Sequence, residues 1–283
     1  MKRILALALS GVVAIAAWSQ DAVAKDYKNI KVATEGAYAP WNYKDSAGNL
    51  VGFEVDLAKD LCKRMGIQCT IVEQAWDGII PSLVAGKYDA IMAGMSIKAK
   101  REKVISFSRF YAATPARLVV LKSSPLAGFS AGADALTLDD VSAGEKAAIA
   151  AMKKALGGKT IGVQTATTHE DFLRKYMSKD ITIKTYDTQE NLDLDLEAGR
   201  VDAALASMSY WVPLLKKDKG KGMVMVGPKM TKGPFGRGVG VGIRKEDAPL
   251  KEMFSKAINE AIKDGSLKKL ALQHFGFDAA AKE

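Results

Sequence analysis

The hydrophobic positions of this chain follow two alternating patterns, one typical of strands and one typical of helices. Apolar residues dominate residues 30–33, 69–72 and 160–164, which we predict to be strands, and residues 53–62 carry apolar side chains at helical spacing. Residues 35–50 contain the Pro, Asp and Gly residues typical of a loop. Strands that alternate with helices predict an α/β fold with parallel strands.

Three further helices are predicted from the same pattern. Residues 77–84 are predicted as a short helix, residues 143–156 as a surface helix and residues 251–275 as one amphipathic helix. We expect the last of these to pack against the first part of the chain.

The most informative internal signal is a repeat. Residues 83–93, LVAGKYDAIMA, recur as residues 196–206, LEAGRVDAALA. Each copy predicts a helix end, a Gly in a left-handed turn and a buried strand. The copies predict two similar lobes, between which the chain crosses near residues 110–115 and 229–238. Because ligand sites of open sheets lie beyond the carboxyl ends of strands, residues after the strands are predicted to face a cleft.

The first residues of the chain have the features of a secretory signal peptide. Lys2 and Arg3 precede an apolar run at residues 4–18, and an Ala-Val-Ala sequence at residues 22–24 matches a cleavage site. The run is shorter than the roughly 20 residues that cross a bilayer. We therefore predict that residues 1–24 are removed and that the mature protein is soluble in the periplasm.

Composition and charge narrow the function classes further. A hydrophobic fraction of 48% among 283 residues excludes a disordered or fibrous protein. The net charge of +9 comes without an Arg-rich run, which favours a solvated Lys-rich surface over a nucleic-acid interface. We expect no nucleic-acid partner.

The two cysteines of the chain, Cys62 and Cys69, are close in sequence. In an exported protein this spacing favours a disulfide. A metal site is not expected, because the only histidines, His169 and His274, are distant in sequence from both thiols. No cofactor is expected either.

Two segments are candidates for binding an acid. Ser96 is predicted to cap a helix that carries Arg101, and Thr168 and His169 are predicted to begin a helix after the strand at residues 160–164. A helix N-terminus attracts anions, and a guanidinium matches a carboxylate. Two such termini across one cleft suit a small acid held between the lobes.

A second group is suited to a cation. Glu35 is an acid near the aromatic residues Tyr38, Trp41 and Trp76, which could stack on a cationic group or belong to the hydrophobic core. Enzyme motifs are weak by comparison. The Gly-x-Ser-x-Gly pattern at residues 128–132 lies in a stretch rich in Ser, Gly and Ala instead of a strand-to-helix turn.

Several segments resemble one protein family. They include Tyr-Ala-Pro at residues 38–40, GFEVDL at residues 52–57, IPSL at residues 80–83, YDAI at residues 88–91 and VGVGIRK at residues 239–245. Over the whole mature chain, the sequence resembles the periplasmic solute-binding proteins of polar amino acid ABC importers, bacterial solute-binding protein family 3. Within this family it is most similar to the octopine-, nopaline- and lysine/arginine/ornithine-binding proteins.

The resemblance implies an α/β, two-lobed type II periplasmic binding protein with two chain crossings. It implies a first lobe of residues 25–113 and 235–283 and a second lobe of residues 114–234. It also implies a monomer that passes an amino acid or opine ligand to an ABC transporter permease in the inner membrane.

The resemblance also implies roles for individual residues. By position, the ligand α-carboxylate would be held by Arg101, Ser96 and Thr168. The ligand side chain would contact Tyr38, Trp76 and Glu35, and backbone contacts would come from Ala93 and Gly94.

One position departs from the family pattern. Ser207 stands where the family usually has an aspartate for the α-ammonium group. An opine has a second carboxylate-bearing arm on that nitrogen, and Gln164, His169, Ser207 and Asn191 are candidates to bind it. The natural ligand stays open among arginine, ornithine, lysine and an arginine-derived opine. The alternative function is a periplasmic dehydratase of the same fold for prephenate-like acids, with Glu35 as general acid.

Overall fold

The computed structural model describes residues 27–282, and the predicted signal peptide lies outside this part of the chain. The strands are β1 (Asn29–Thr34), β2 (Ala37–Tyr38), β3 (Asn42–Lys44), β4 (Leu50–Val51), β5 (Gln68–Glu73), β6 (Ala90–Ile91), β7 (Ser106–Ala112), β8 (Ala116–Leu121), β9 (Ala135–Thr137), β10 (Thr160–Gln164), β11 (Thr182–Tyr186), β12 (Ala203–Ser207), β13 (Met223–Thr231) and β14 (Val239–Ile243). The helices are α1 (Phe53–Met65), α2 (Ile79–Val84), α3 (Ala99–Glu102), α4 (Ala143–Leu156), α5 (Thr168–Tyr176), α6 (Gln189–Glu197), α7 (Met208–Leu215), α8 (Ala248–Lys263) and α9 (Ser266–Phe275).

Two sheets divide the described chain into two lobes, as the internal repeat predicts. The first lobe contains the sheet β5-β1-β6-β14-β7, and the second contains the sheet β11-β10-β12-β8-β13-β9. The chain passes from the first sheet to the second between β7 and β8 and returns between β13 and β14. The predicted two-lobed α/β fold with two crossings is therefore confirmed.

The expectation of parallel strands is only partly correct. In the first lobe β1 pairs in parallel with β5 and β6, whereas β14 runs antiparallel to β6 and β7. In each lobe the reversed strand is the one that follows a crossing: β14 in the first lobe and β8, which is antiparallel to β12 and β13, in the second. A chain that crosses to the other lobe and returns re-enters the first sheet from the opposite end.

Two predicted elements differ from the structure. Residues 35–50, predicted as a loop, contain the small antiparallel sheet β2-β3-β4. The tail, predicted as one helix, is divided into α8 and α9, because Gly265 adopts φ +78° between them. Gly takes this left-handed conformation at little cost and so permits a sharp change of direction.

The lobes have separate hydrophobic cores. In the first lobe, α1, α8 and α9 bury Phe53, Phe254 and Phe275 against the sheet, and in the second, α4 and α5 bury Met152 and Phe172. Burial of such apolar surface is the main stabilising term of each lobe. These cores hold the strand ends that carry the candidate site.

The predicted disulfide is present. Cys62 lies in α1 and Cys69 lies in β5, and their Cα atoms are 6.1 Å apart. The bond fastens the end of the first helix to the neighbouring strand. Within residues 27–282, no helix has the length and apolar character that crossing a membrane requires.

Candidate functional site

A cavity of about 800 Å³ lies between the two lobes. Eleven of the residues that the sequence predicts to bind the ligand line it. These are Glu35, Tyr38, Trp76, Ala93, Gly94, Ser96, Arg101, Gln164, Thr168, His169 and Ser207.

The topology explains why these residues meet. Glu35 follows β1 and Ala93 lies two residues beyond β6, while Gln164 and Ser207 are the last residues of β10 and β12. Within each lobe, parallel strands bring their carboxyl ends to one edge of the sheet. The two edges face each other and form the two walls of the cavity.

Arg101 is the main cationic group of the cavity and is only 6% exposed. Its Nη1 donates to the carbonyl of Ser96 at 2.8 Å, and its Nη2 donates to the carbonyl of Ala166 in the other lobe at 3.1 Å. The guanidinium also lies over the ring of Trp76, 5.1 Å from the centroid. Burial lowers the pKa of Arg101 to about 10, so the group stays charged at neutral pH.

Glu35 is the carboxylate counterpart in the same cavity. It is 6% exposed, and its Oε1 accepts a hydrogen bond from Nε2 of Gln164 at 2.6 Å. Burial raises the pKa of Glu35 to about 7, and the Gln164 hydrogen bond opposes this rise. Within residues 27–282, Glu35 has no cation and Arg101 has no carboxylate in ion-pair range.

The helix starts differ between the two walls. In the second lobe α5 begins at Thr168, as predicted, and Thr167 caps it by accepting from the backbone N–H of Glu170. In the first lobe the prediction that Ser96 caps a helix is wrong, because α3 begins at Ala99. Residues 96 and 97 instead form bridges to the returning chain, with the N–H of Ile97 donating to the carbonyl of Gly238.

His169 and Ser207 form a polar corner of the second-lobe wall. Nε2 of His169 lies 3.4 Å from Oγ of Ser207. Burial, together with the positive charges of Arg101 and Lys98, lowers the pKa of His169 to about 4. The imidazole is therefore neutral at neutral pH, and this corner offers hydrogen bonds without a net charge.

The three aromatic residues predicted near Glu35 make different contacts. Both tryptophans line the cavity and are buried, Trp41 at 1% and Trp76 at 9% exposed. Nε1 of Trp41 donates to Oγ of Ser209, and Nε1 of Trp76 donates to the carbonyl of Thr165 across the cleft, each at 3.0 Å. Tyr38 stacks on Tyr210 of the other lobe with centroids 4.9 Å apart, which covers one of its faces. Tyr210 was not among the sequence candidates, because its position in the apolar helix α7 is typical of a core residue.

Other contacts join the lobes at the cavity rim. Lys98 forms an ion pair with Asp171, and its side chain is 13% exposed. Lys98 was not predicted as a site residue, although it lies in the polar run before Arg101. Asn191, one of the candidates for a second carboxylate, lies outside the cavity lining, where it is exposed and donates to Asp187.

A buried carboxylate lies behind the first-lobe wall. Glu54 is 1% exposed and accepts hydrogen bonds from the backbone N–H of Gly94, from Nδ2 of Asn42 and from the hydroxyl of Tyr111. Burial raises the pKa of Glu54 to about 6, and these three donors oppose the rise. Within residues 27–282, no cluster of three or more His, Cys, Asp or Glu side chains is arranged to hold a metal ion.

Comparison with known proteins decides the family. Residues 30–277 match the bacterial extracellular solute-binding proteins, family 3. The chain belongs to this family. The matched range covers both lobes and the eleven predicted residues that line the cavity, so this solute-binding protein shares the family fold over residues 30–277.

Two similar proteins match most of the chain. Over 227 residues the chain is 46% identical to the octopine-binding periplasmic protein of Rhizobium meliloti, with 80% of this chain and 77% of that protein covered. Over 277 residues it is 40% identical to the histidine-binding periplasmic protein of Escherichia coli strain K12, with 97% of each chain covered. Both relatives are binding proteins of the periplasm.

A solved structure supports the same assignment. An ancestral arginine-binding protein bound to arginine superimposes with a TM-score of 0.73 at 30% identity, covering 88% of this chain and 99% of that one. The two-lobed fold of this solute-binding protein is therefore the fold of amino acid binding proteins.

Proposed function

We propose that this protein captures a guanidinium-bearing amino acid or an opine derived from it, such as octopine, in the cavity between its lobes. It then delivers the ligand to an ABC transporter permease in the inner membrane. The observation that carries the proposal is that Arg101 and Glu35 line one cavity, both buried and neither in an ion pair within residues 27–282.

Charge neutralisation favours a ligand that carries both an anion and a cation. A buried charge without a partner costs several kcal/mol. A ligand with a carboxylate at one end and a cation at the other would neutralise both groups at once. The fork of a guanidinium fits two carboxylate oxygens better than the compact ammonium of lysine does, and it also stacks on flat rings such as Trp76.

The neutral corner of His169 and Ser207 favours an opine over the free amino acid. A free amino acid brings an α-ammonium group, and the resemblance places Ser207 where the family usually has an aspartate for that group. In an opine the same nitrogen carries an arm with a second carboxylate, which could accept hydrogen bonds from His169, Ser207 and Gln164. Ser96 favours the octopine type, because a smaller residue would leave more room for the larger arm of nopaline.

The remaining parts of the proposal concern the chain as a whole. We assign residues 25–113 and 235–283 to the first lobe and residues 114–234 to the second, and we propose closure by a hinge at the two crossings. Cleavage after residue 24 would leave a monomeric protein in the periplasm. Glu35 is assigned to binding, so we expect no aromatic product from prephenate-like acids.

Calorimetric titration with arginine, lysine, ornithine, histidine, octopine and nopaline tests the proposal. We expect octopine and arginine to bind most tightly and to raise the melting temperature by mass action. X-ray scattering should show compaction with the tight ligands. Tighter binding of lysine or histidine would overturn the ligand assignment, and turnover of a prephenate-like acid that is lost in Glu35→Gln would overturn the binding role.

A further inference from the structure

Behind the cavity, a chain of hydrogen bonds links two segments of its first-lobe wall. Oε1 of Glu54 accepts from the backbone N–H of Gly94 at 2.7 Å, and Oε2 accepts from Nδ2 of Asn42 at 2.6 Å. Oδ1 of Asn42 in turn accepts from the backbone N–H of Gly36 at 2.8 Å. Asn42 is fully buried and Glu54 nearly so, which keeps water from replacing any of these bonds.

Both ends of this chain are next to residues of the proposed binding site. Gly36 directly follows Glu35, and Gly94 directly follows Ala93. Both glycines have left-handed backbones, with φ of +80° at Gly36 and +60° at Gly94. Because the glycine backbone is readily deformed, the orientation of these two peptide groups depends on the hydrogen bonds that other residues make to them.

We propose that Glu54 is a positioning residue for ligand binding, which acts on Gly94 directly and on the Glu35 turn through Asn42. The inference rests on the proposed function, since it assigns the preorganisation of that same site. Glu54 itself lies outside the cavity lining, and its effect passes through two backbone N–H groups.

The directions of the hydrogen bonds explain why a carboxylate is needed. Gly36 and Gly94 present N–H groups, which can only donate. Asn42 must therefore turn its carbonyl oxygen to Gly36 and its amino group to Glu54. Glu54 then faces donors on both of its oxygens, and only an ionised carboxylate accepts on both sides.

A glutamine at position 54 would leave one hydrogen-bond donor of this network without an acceptor. If the new side chain in Glu54→Gln turned its oxygen to Gly94 and Tyr111, its amino group would face the amino group of Asn42. An unpaired buried donor costs more than the bond itself contributes. If Asn42 rotated to accept from that amino group, Gly36 would face an amino group and lose its partner.

A second substitution, at residue 42, should restore an acceptor for every donor. In the double variant N42D/E54Q, the aspartate accepts from Gly36 with one oxygen and from the glutamine with the other, while the glutamine oxygen accepts from Gly94 and Tyr111. Every donor again has an acceptor. The buried negative charge moves from residue 54 to residue 42. The double variant therefore tests whether binding needs a charge at residue 54 or only the correct directions of the hydrogen bonds.

The experiment compares wild type, E54Q, N42D/E54Q and the control D56N, which removes another carboxylate of α1 that lies outside the cavity lining and contacts His274. Titration with L-arginine at pH 8 measures binding, and amide hydrogen exchange at Gly36 and Gly94 in the ligand-free protein measures the hydrogen bonds. We expect E54Q to weaken arginine binding at least tenfold and to speed exchange at both amides. The affinity of the double variant for arginine should return to within about threefold of the wild-type value. D56N should resemble wild type in both affinity and amide exchange.

Two results would overturn the inference. One is an E54Q variant that keeps wild-type affinity and wild-type exchange. The other is a double variant that loses binding or folding as severely as E54Q, which also covers the case in which E54Q alone does not fold. If wild type itself binds no arginine, the proposed function fails, and amide exchange in E54Q and N42D/E54Q still decides the role of Glu54.

Discussion

Nε2 of Gln164 in the second lobe donates a hydrogen bond to Oε1 of Glu35 in the first lobe, over 2.6 Å. This bond joins the two walls of the cavity at the carboxylate that we assign to the cationic end of the ligand. Because Glu35 is buried and its pKa is raised to about 7, its charge changes within the physiological range of pH. Binding and stability should therefore both depend on pH, in opposite directions.

Affinity for arginine should increase as pH rises from 6 to 8. Below the raised pKa of about 7, Glu35 is neutral and cannot pair with a guanidinium. One pH unit below that pKa, affinity should be about tenfold lower than its limit at high pH. Titration calorimetry at pH 6.5 in two buffers of different ionisation enthalpy should detect proton release on binding. A flat pH profile, or one unchanged in Glu35→Gln, would contradict the role of Glu35.

The ligand-free protein should show the reverse effect on stability. The folded pKa of Glu35, about 7, exceeds its ordinary value of 4.5, so the fold holds the proton more tightly than the unfolded chain does. This contribution is fully present below about pH 4.5 and is lost as pH rises through 7. Glu35→Gln should therefore raise the free energy of unfolding by about 2 to 3 kcal/mol at pH 8 and hardly change it at pH 4. Urea unfolding at the two pH values measures the difference, and equal effects at both would refute the assignment.

Arg101→Ala should abolish binding of every ligand that carries an α-carboxylate. Loss of a buried guanidinium that pairs with a carboxylate costs several kcal/mol, so affinity should fall at least 100-fold for arginine and octopine alike. Arg200→Ala is the matched control, because Arg200 is exposed and pairs with Asp195 away from the cavity. Titration calorimetry distinguishes the two variants. Wild-type affinity in Arg101→Ala would remove the main support for a carboxylate ligand.

Ser207→Asp should move ligand preference toward free arginine. The new carboxylate would pair with an α-ammonium group and repel the second carboxylate of octopine. Ser207→Asn is the control, since it adds similar volume without charge. The ratio of the dissociation constants for octopine and arginine is the measured quantity. An unchanged or improved preference for octopine in Ser207→Asp would show that the second carboxylate does not lie at this corner.

The ion pair of Lys98 and Asp171 should favour the closed form, since its two members belong to different lobes. Because Asp171 is partly exposed, the pair should contribute about 1 kcal/mol or less, which corresponds to a several-fold change in affinity. Asp171→Lys should weaken ligand binding, and the exchanged pair Lys98→Asp with Asp171→Lys should recover part of it. X-ray scattering at saturating ligand reports closure, and a double-mutant cycle without coupling would argue against this contact.

Much of the fold follows from local sequence. The helix at residues 143–156 and the strand at residues 160–164 are observed with the predicted bounds, because their apolar spacing and flanking residues are locally consistent. The repeat predicted two lobes, and in both copies a Gly with a left-handed backbone, Gly86 or Gly199, precedes a buried strand. The tail was predicted less well, because the apolar spacing continues across Gly265 where the chain turns.

The candidate site was predicted from chain topology and from resemblance to a family. Residues that follow buried strands gather at one sheet edge, so Glu35, Thr168 and Ser207 could be named in advance. Gln164, the last residue of its strand, was named from the resemblance to opine-binding proteins. The start of α3 could not, because Ile97 bonds to Gly238, more than a hundred residues later in the chain. A local pattern of polar residues cannot predict a hydrogen-bond partner that is so distant in the chain.

The sequence by itself therefore determined many of the helices and strands, the two lobes, the disulfide partners and the chemical types that line the cavity. Only the tertiary structure decided which of these groups are buried together: the stacking of Tyr38 on Tyr210, the raised pKa of Glu35 and the link from Glu54 through Asn42 to Gly36. The reason is physical. Propensity and spacing act between residues a few positions apart, whereas desolvation and hydrogen-bond direction depend on neighbours brought together by folding.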